Sequence, residues 1–349
     1  SFLDAHPWIH VAQSQLDSRY TAVNSSQIEQ PSNKIPYTVS GQQIASGLTN
    51  LDLQALIRAE LTRTPPNEIS RLASEIYTNL LDSYKPNVVI AQGSYLSQIG
   101  HMLEASIWAD DPQAISTCGK DIDWDGQPEC ILATNDIFLS FELEGGYLAY
   151  GFVQNENGYH QIIGPTTQFD TLRSDPSTLS AEKGIAGDSG QIIGAFADPL
   201  SSLQTYSGSV ASGKIALTSQ DGSMEKTFLI QDGEIHIQIL AYNQVTRPIG
   251  RLPFVLDPWL RGNDQSAGIY WEQQSQNAWI WGVSDQISIG VESNLQFSHD
   301  TFNATYGALN KQEDPNFDYT DGHLLPIPMA VAEFLVQPVT TIVIEIDPG

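Results

Sequence analysis

The chain has 349 residues, enough for a large core or two domains, and sets 41 acidic against 15 basic residues for a formal net charge of -26. With no basic patch of useful size, nucleic acid and anionic membrane surfaces are poor partners. Lysine is scarce, Gln, Asn, Ser and Thr are abundant, and no apolar run approaches a membrane span, which together suit an extracellular or cell-surface protein.

Residues 1–47 read as an entry segment packed onto the body of the protein. Pro7-Trp8-Ile9-His10-Val11 has strand character, and the remainder to Gly47 is polar and rich in Pro, Ser and Gln. Beginning at Ser1 rather than Met, the chain reads as a processed product or an excised piece, with any secretion signal outside it. His6 and His10 have no third ligand nearby and read as structural. Asn24-Ser25-Ser26, and far downstream Asn303-Ala304-Thr305, match the N-glycosylation sequon.

Residues 48–117 change to a helical period and predict a small bundle. Asn50 caps a first helix carrying Leu53, Leu56, Ile57 and Leu61, which stops before Pro65-Pro66. Asn67 opens a second, with Ile69, Leu72, Ala73, Ile76, Tyr77, Leu80, Leu81 and Tyr84 on one face, and Pro86 ends it. A third runs from Ser94 through Leu96, Ile99, Leu103 and Ile107 to Trp108.

Residues 118–130 then form the most distinctive stretch of the chain. Asp121, Asp123 and Asp125 alternate, Gly126 follows, and Glu129 comes three residues later. This is the spacing of a short loop that wraps a hard cation, so Ca2+ is the expected cofactor, held by these four carboxylates and the backbone carbonyl of Gln127. A polar turn with chance acids is the competing reading. Cys118 and Cys130, the only two cysteines, bracket the loop. A disulfide between them would favour an oxidising compartment and contribute about 3 kcal/mol in the chain-entropy model; two buried thiols are the alternative.

Residues 131–349 read as β throughout. Ile131–Glu142 and Tyr147–Val153 are joined by Glu144-Gly145-Gly146, a hairpin signal. Further strands are predicted at Gln161–Ile163, Gln191–Phe196, Ser207–Ser212, Lys214–Ser219, Lys226–Ile230 and Glu234–Tyr242. The series continues with Gly268–Glu272, Ala278–Val283, Gln286–Val291, Met329–Val336 and Thr341–Ile346. The fold class is therefore α+β: a small helical bundle, then a large antiparallel β-sandwich of supersandwich type, linked by the calcium-binding loop.

This order, with Ala105-Ser106-Ile107-Trp108-Ala109, the loop Asp121–Glu129, the strand Ile131–Glu142, Ser219–Phe228 and Met329–Phe334, resembles the C-terminal region of family-57 glycoside hydrolases, amylopullulanase-like ones in particular. The resemblance spans roughly residues 48 to 349. It implies that the family's nucleophile and general acid lie on an N-terminal barrel, which 47 residues cannot build. Where such enzymes carry a basic run ahead of the helix tryptophan, this chain has Tyr95-Leu96-Ser97-Gln98. No catalytic residue is assigned.

Trp259, Tyr270 and Trp271, with Trp279 and Trp281, form an aromatic cluster that can stack on sugar rings; a sandwich core is the competing reading, favoured by the alternation of Trp279 and Trp281. Gly187-Asp188-Ser189-Gly190 matches a serine-protease signature, but neither the histidine context nor the oxyanion sequence accompanies it. The leading expectation is a secreted, non-catalytic C-terminal region of an amylase/pullulanase-type enzyme, partnered by an N-terminal catalytic domain and touching polysaccharide. The rival is an extracellular structural protein of the same fold that self-assembles into a polymer or surface layer.

Overall fold

The computed structural model describes residues 50–83, 89–124, 126–156, 158–164, 195–197 and 204–242, together with 36–37, 42–43, 167–168, 192–193, 249–255, 269–274, 277–282, 288–294, 298–305 and 326–347. Most of the entry segment, including His6, His10 and Asn24, lies outside these residues.

Two short strands, β1 (Pro36–Tyr37) and β2 (Gln42–Gln43), pair with each other and precede three helices: α1 (Asn50–Arg63), α2 (Glu68–Ser83) and α3 (Val89–Asp110). A meander follows, made of β3 (Ile115–Lys120), β4 (Glu129–Ala133), β5 (Ile137–Glu142), β6 (Tyr147–Asn155) and β7 (Gly158–Ile163). After the short pair β8 (Thr167–Gln168) and β9 (Ile192–Ile193) comes a second meander of β10 (Tyr206–Ala211), β11 (Lys214–Ser219), β12 (Met224–Gln231) and β13 (Glu234–Ala241). The remaining strands are β14 (Ile249–Val255), β15 (Ile269–Gln274), β16 (Asn277–Gly282), β17 (Ser288–Ser293), β18 (Ser298–Thr305), β19 (Pro326–Leu335) and β20 (Val339–Asp347).

These strands make two eight-stranded antiparallel sheets, ordered β18-β19-β14-β7-β6-β5-β4-β3 and β10-β11-β12-β13-β20-β17-β16-β15. The expected α+β sandwich is therefore present. The late strands enter both sheets: β19 pairs with β14, and β20 lies between β13 and β17. Core side chains come from both inner faces, and Phe141 of β5 meets Phe228 of β12 with ring centroids 4.6 Å apart.

The two sheets read differently along the chain because they are covered differently. Strands β11 to β13 alternate buried and partly exposed residues, as a sheet with one wet face must. Strand β5 is buried at all six positions. Ile137, Leu139 and Phe141 point into the sandwich, while Phe138 packs at a tilt against Trp108 of α3, 5.6 Å between centroids. The helices thus form a third layer over this sheet. Trp108 Nε1 donates to the carbonyl of Thr134 at 2.8 Å, and the Tyr159 hydroxyl donates to the carbonyl of Ala109. Asn67 caps α2, its Oδ1 accepting from the Ser70 amide at 3.0 Å while its own amide donates to Ser70 Oγ at 2.9 Å.

Some boundaries differ from expectation. The run Ile131–Glu142 is two strands, split by a turn in which Thr134 Oγ1 accepts from the amides of Asp136 and Ile137. Helix α3 starts at Val89, five residues before Ser94, its β-branched start overridden by context. Strand β14 escaped the sequence reading because it contains Pro253. That strand pairs fully with β19 but meets β7 at a single position, Phe254 opposite Ile163.

Lys226 breaks the apolar alternation of Met224, Phe228 and Ile230, yet is only 1% exposed. Its ammonium donates to the carbonyls of Gly145, Gly146 and Phe196 at 3.1, 2.8 and 2.8 Å, and lies 4.5 Å from the centre of the Tyr206 ring. Lys226→Met, which restores the apolar pattern, is expected to destabilise the protein by about 3 kcal/mol in urea denaturation, because three buried carbonyls lose their donor. An unchanged midpoint would show that water replaces the ammonium.

Asp221 holds the turn between β11 and β12. Its carboxylate accepts from the Ser223 amide and the Ser219 hydroxyl, each at 2.8 Å, and from the Gln204 side chain at 3.1 Å. The hydrogen bonds from Ser223, then that from Ser219, lower its pKa from 3.8 to about 2. A depressed carboxylate stabilises the fold above its unfolded value, and that contribution fades as pH falls from about 3.8 through 2. Across that window Asp221→Asn is expected to show a shallower loss of stability than the parent, measured by thermal melts at each pH.

Candidate metal centre

The acidic loop is the end of the β3–β4 hairpin, so it belongs to the sheet and both cysteines stand on strands. Cys118 and Cys130 are register partners and are joined by a disulfide, with Cα atoms 4.0 Å apart. The bond closes the hairpin across 12 positions of sequence and fixes both ends of the loop before any ligand is bound. Gly208 of β10, in the opposite sheet, lies against it: a Cβ there would stand 2.5 Å from Cys130 Sγ and 2.6 Å from Cys118 Sγ.

Within this frame the loop turns its acids inward. Glu129 accepts from the Ile122 amide, and Asp121 Oδ2 accepts from the Gly126 amide at 3.1 Å. Trp124, buried, adopts φ 65, a left-handed conformation that a bulky residue holds only when its surroundings enforce it. Asp123 and Glu129 are 2% and 1% exposed, and together with partly buried Asp121 they place one carboxylate oxygen each within 4.8 Å of one another.

Three carboxylates at this separation, two of them buried, repel strongly in a medium less polar than water. A hard cation relieves that repulsion, and an all-oxygen donor set is the kind that Ca2+ or Mg2+ takes; with the thiols oxidised, zinc-type sulfur ligation is not on offer. The triad can therefore hold a metal ion. Of the other expected ligands, Asp125 lies outside the described residues, and Gln127, expected to offer its backbone carbonyl, is an exposed residue of the loop.

Helix α3 is fastened to the same loop. Lys120 forms an ion pair with Glu104, and Gly100 lies directly against the loop backbone, so that a Cβ would stand 2.1 Å from the Ile122 carbonyl oxygen. One residue on, His101 occupies a buried polar cluster with β5. Its Nε2 is 2.9 Å from Glu142 Oε1, its Nδ1 is 3.1 Å from Ser140 Oγ, and its ring stacks on Tyr150. Ser, His and Glu are also the residues of hydrolytic triads, but Ser140 is wholly buried between helix and sheet, and the cluster serves to seat α3. Sequence reading missed it. The available signal was Ser140 and Glu142 alternating inside an otherwise apolar strand.

The remaining candidates scatter. Tyr270 and Trp271 stand on β15 opposite Trp281 and Ile280 of β16, and Trp259 lies outside the described residues. Asn303 is on β18 opposite Pro328. The tetrapeptide Gly187–Gly190 is likewise outside the described residues, and His160, buried, bonds to Asn155 at 2.8 Å.

No protein-family model and no curated protein matches the chain. Among solved structures, it is similar to 4-alpha-glucanotransferase from Thermococcus litoralis, 7% identical with a TM-score of 0.47, covering 85% of this chain and 48% of that one. It thus spans about half the length of that structure. HI1317 is 12% identical with a TM-score of 0.36 over 63% of this chain and 92% of that one. The periplasmic domain of Thermotoga maritima YidC is 9% identical with a TM-score of 0.25 over 60% and 84%. Likenesses this distant carry no assignment of activity.

Gly100→Ala gives a direct test of the helix–loop contact. At an ordinary helix interior that change stabilises by about 1 kcal/mol. Here the new methyl meets backbone, and a loss of about 1–3 kcal/mol is expected instead. A raised melting temperature would show that α3 and the loop are not in contact.

Proposed function

We propose that the chain is a secreted, non-catalytic region of a glycan-active enzyme of the amylase/pullulanase type, in which a Ca2+ ion braces the helical layer against the sandwich. The observation that carries the brace is the Asp121, Asp123 and Glu129 cluster, set in a disulfide-closed hairpin whose backbone abuts α3. Asp125 and the Gln127 carbonyl complete the proposed ligand set. The link to glycan chemistry is supported by the sequence resemblance of the helix, loop and strand motifs quoted above. In this reading residues 48–117, 118–130 and 131–349 work as one supporting unit, Trp259, Tyr270 and Trp271 touch glucan, and the acid–nucleophile pair belongs to a separate catalytic part.

The ion bound this way would be saturated by carboxylate and carbonyl oxygen, which suits bracing rather than Lewis-acid chemistry. Calorimetric titration should find one Ca2+ site, and calcium at one hundred times its Kd should add about 2.7 kcal/mol of stability. Asp123→Asn is expected to abolish the calcium-dependent part of the melting temperature. If melting is the same in calcium and in chelator, the loop is only a turn. The purified chain, given calcium, is expected to leave starch, pullulan and casein intact while being retarded in a starch-containing native gel. Turnover abolished by one Asp or Glu substitution outside the loop would overturn the non-catalytic reading, and unretarded migration would remove the glucan contact.

A further inference from the structure

The disulfide of the β3–β4 hairpin is the last covalent tie before the acidic loop, and its two sulfurs are placed unequally. Cys130 is wholly buried in the sandwich core. Cys118 is only partly buried and packs against that core from β3, the last strand of its sheet among the described residues. A cleft of about 450 Å3 opens at this point, lined by Cys118, Gly119, Gln127 and Pro128 of the hairpin and by Glu144 and Ser207 beyond it. Gly119 is exposed, has φ 126 and borders open space, since a Cβ built there would meet nothing within 4 Å. It is also the extra residue of a bulge, because the register passes from Cys118 opposite Cys130 to Lys120 opposite Glu129. A small reagent therefore reaches this disulfide from the Cys118 side, while Gly208 and the core lie against the rest of it.

We propose that Cys118–Cys130 is an exchangeable bond, opened by a small dithiol that enters at Cys118, and that opening it weakens cation binding by the loop; this rests on the calcium reading given above. One thiolate of the reagent attacks Cys118 Sγ. A mixed disulfide forms, the Cys118–Cys130 bond breaks, and Cys130 Sγ leaves with the electron pair and takes a proton from water. The reagent's second thiolate then attacks its own sulfur in the mixed bond, releasing Cys118 as a thiol and the reagent as a cyclic disulfide, with two electrons moved in all. The link to the ion comes from where the ligands hang. Glu129 is bonded directly to Cys130, and Asp121 stands three residues beyond Cys118, on the far side of the bulge. The triad thus draws on both arms of the hairpin, and the disulfide sets their spacing at the last strand pair before the bulge. Once it is cut, the pairs from Ile115 opposite Ala133 to Thr117 opposite Ile131 still hold the hairpin in the sheet. The loop alone gains freedom, which an ion must then remove on binding. Linkage makes the effect reciprocal: the factor by which oxidation tightens the site is the factor by which the bound ion protects the bond from reduction.

Calcium titration of the oxidised protein, and of the protein held in dithiothreitol with both thiols counted, is expected to give a Kd about tenfold weaker in the reduced form. Redox titration in dithiothreitol buffers is then expected to place the midpoint of the disulfide about 30 mV lower in saturating calcium than in chelator, the equivalent of tenfold for a two-electron couple. Brief exposure to a monothiol, acid quenching and peptide mapping should find the adduct on Cys118 and Cys130 free. The double variant Cys118→Ala, Cys130→Ala gives the open state without reagent, and should reproduce the weak site with far-UV circular dichroism unchanged. Equal calcium affinity in the two redox states, with no shift of midpoint, overturns the linkage and leaves the calcium reading intact; no calcium binding by the oxidised protein overturns both. A bond that stays closed in excess dithiothreitol overturns exchange, and an adduct on Cys130, or equally on the two sulfurs, overturns entry at Cys118. Loss of secondary structure both on reduction and in the double variant would make the bond a support of the whole fold and overturn its role as a local switch.

Discussion

Strands β4 to β6 are apolar on both faces, and neither face can be left to water. The inner face is covered by the second sheet, through contacts such as Phe141 on Phe228. The outer face is covered by α3, whose Trp108 packs on Phe138 and whose His101 answers the only polar pair on that face of β5. Each large buried side chain of this kind contributes on the order of 1.5–3 kcal/mol relative to exposure. The helical layer is therefore part of the core, and anything that lifts α3 opens the same sheet that forms the sandwich. This is why the acidic hairpin matters: it is the point where the edge of that sheet, the backbone of α3 at Gly100 and, through the disulfide, Gly208 of the opposite sheet come within contact.

Much of this was legible in the sequence, for reasons that can be stated residue by residue. The 3-4 spacing of Ile69, Leu72, Ala73, Ile76 and Tyr77 is the buried face of α2, and Asp232-Gly233 makes the tight turn between β12 and β13, both residues at positive φ. The cysteines and the carboxylates announced a closed, acidic loop. What sequence could not carry was coverage. A continuous apolar run such as Ile137–Phe141 looks the same whether its second face meets a helix or another strand, and only the tertiary arrangement assigns Ser140 and Glu142 to α3. Strand β14 hid behind Pro253, and the proline is tolerated in a strand that pairs along its length with β19 but meets β7 at one position.

Lys226 shows the same limit from the other direction. Position by position it belongs to the core stripe of β12, and by residue type it does not. The conflict is resolved by three carbonyls from two separate turns that no local pattern could have placed around one ammonium. Such buried polar anchors specify one arrangement of the hairpin at Gly145-Gly146 against the second sheet, where an apolar side chain of equal volume would tolerate several.

The position of β20 bears on how the chain reaches this state. The strand sits in the middle of its sheet, between β13 and β17, so strands made about a hundred residues earlier have an unpaired edge until it arrives. The β3–β7 and β10–β13 meanders are local and can assemble as they emerge from the ribosome, but the sheet of the second meander cannot close before residues 339–347 are available. Contacts so distant in sequence make folding slow and leave an apolar face and an open β13 edge waiting. During synthesis, this half-built sheet is the species that chaperones would have to shield.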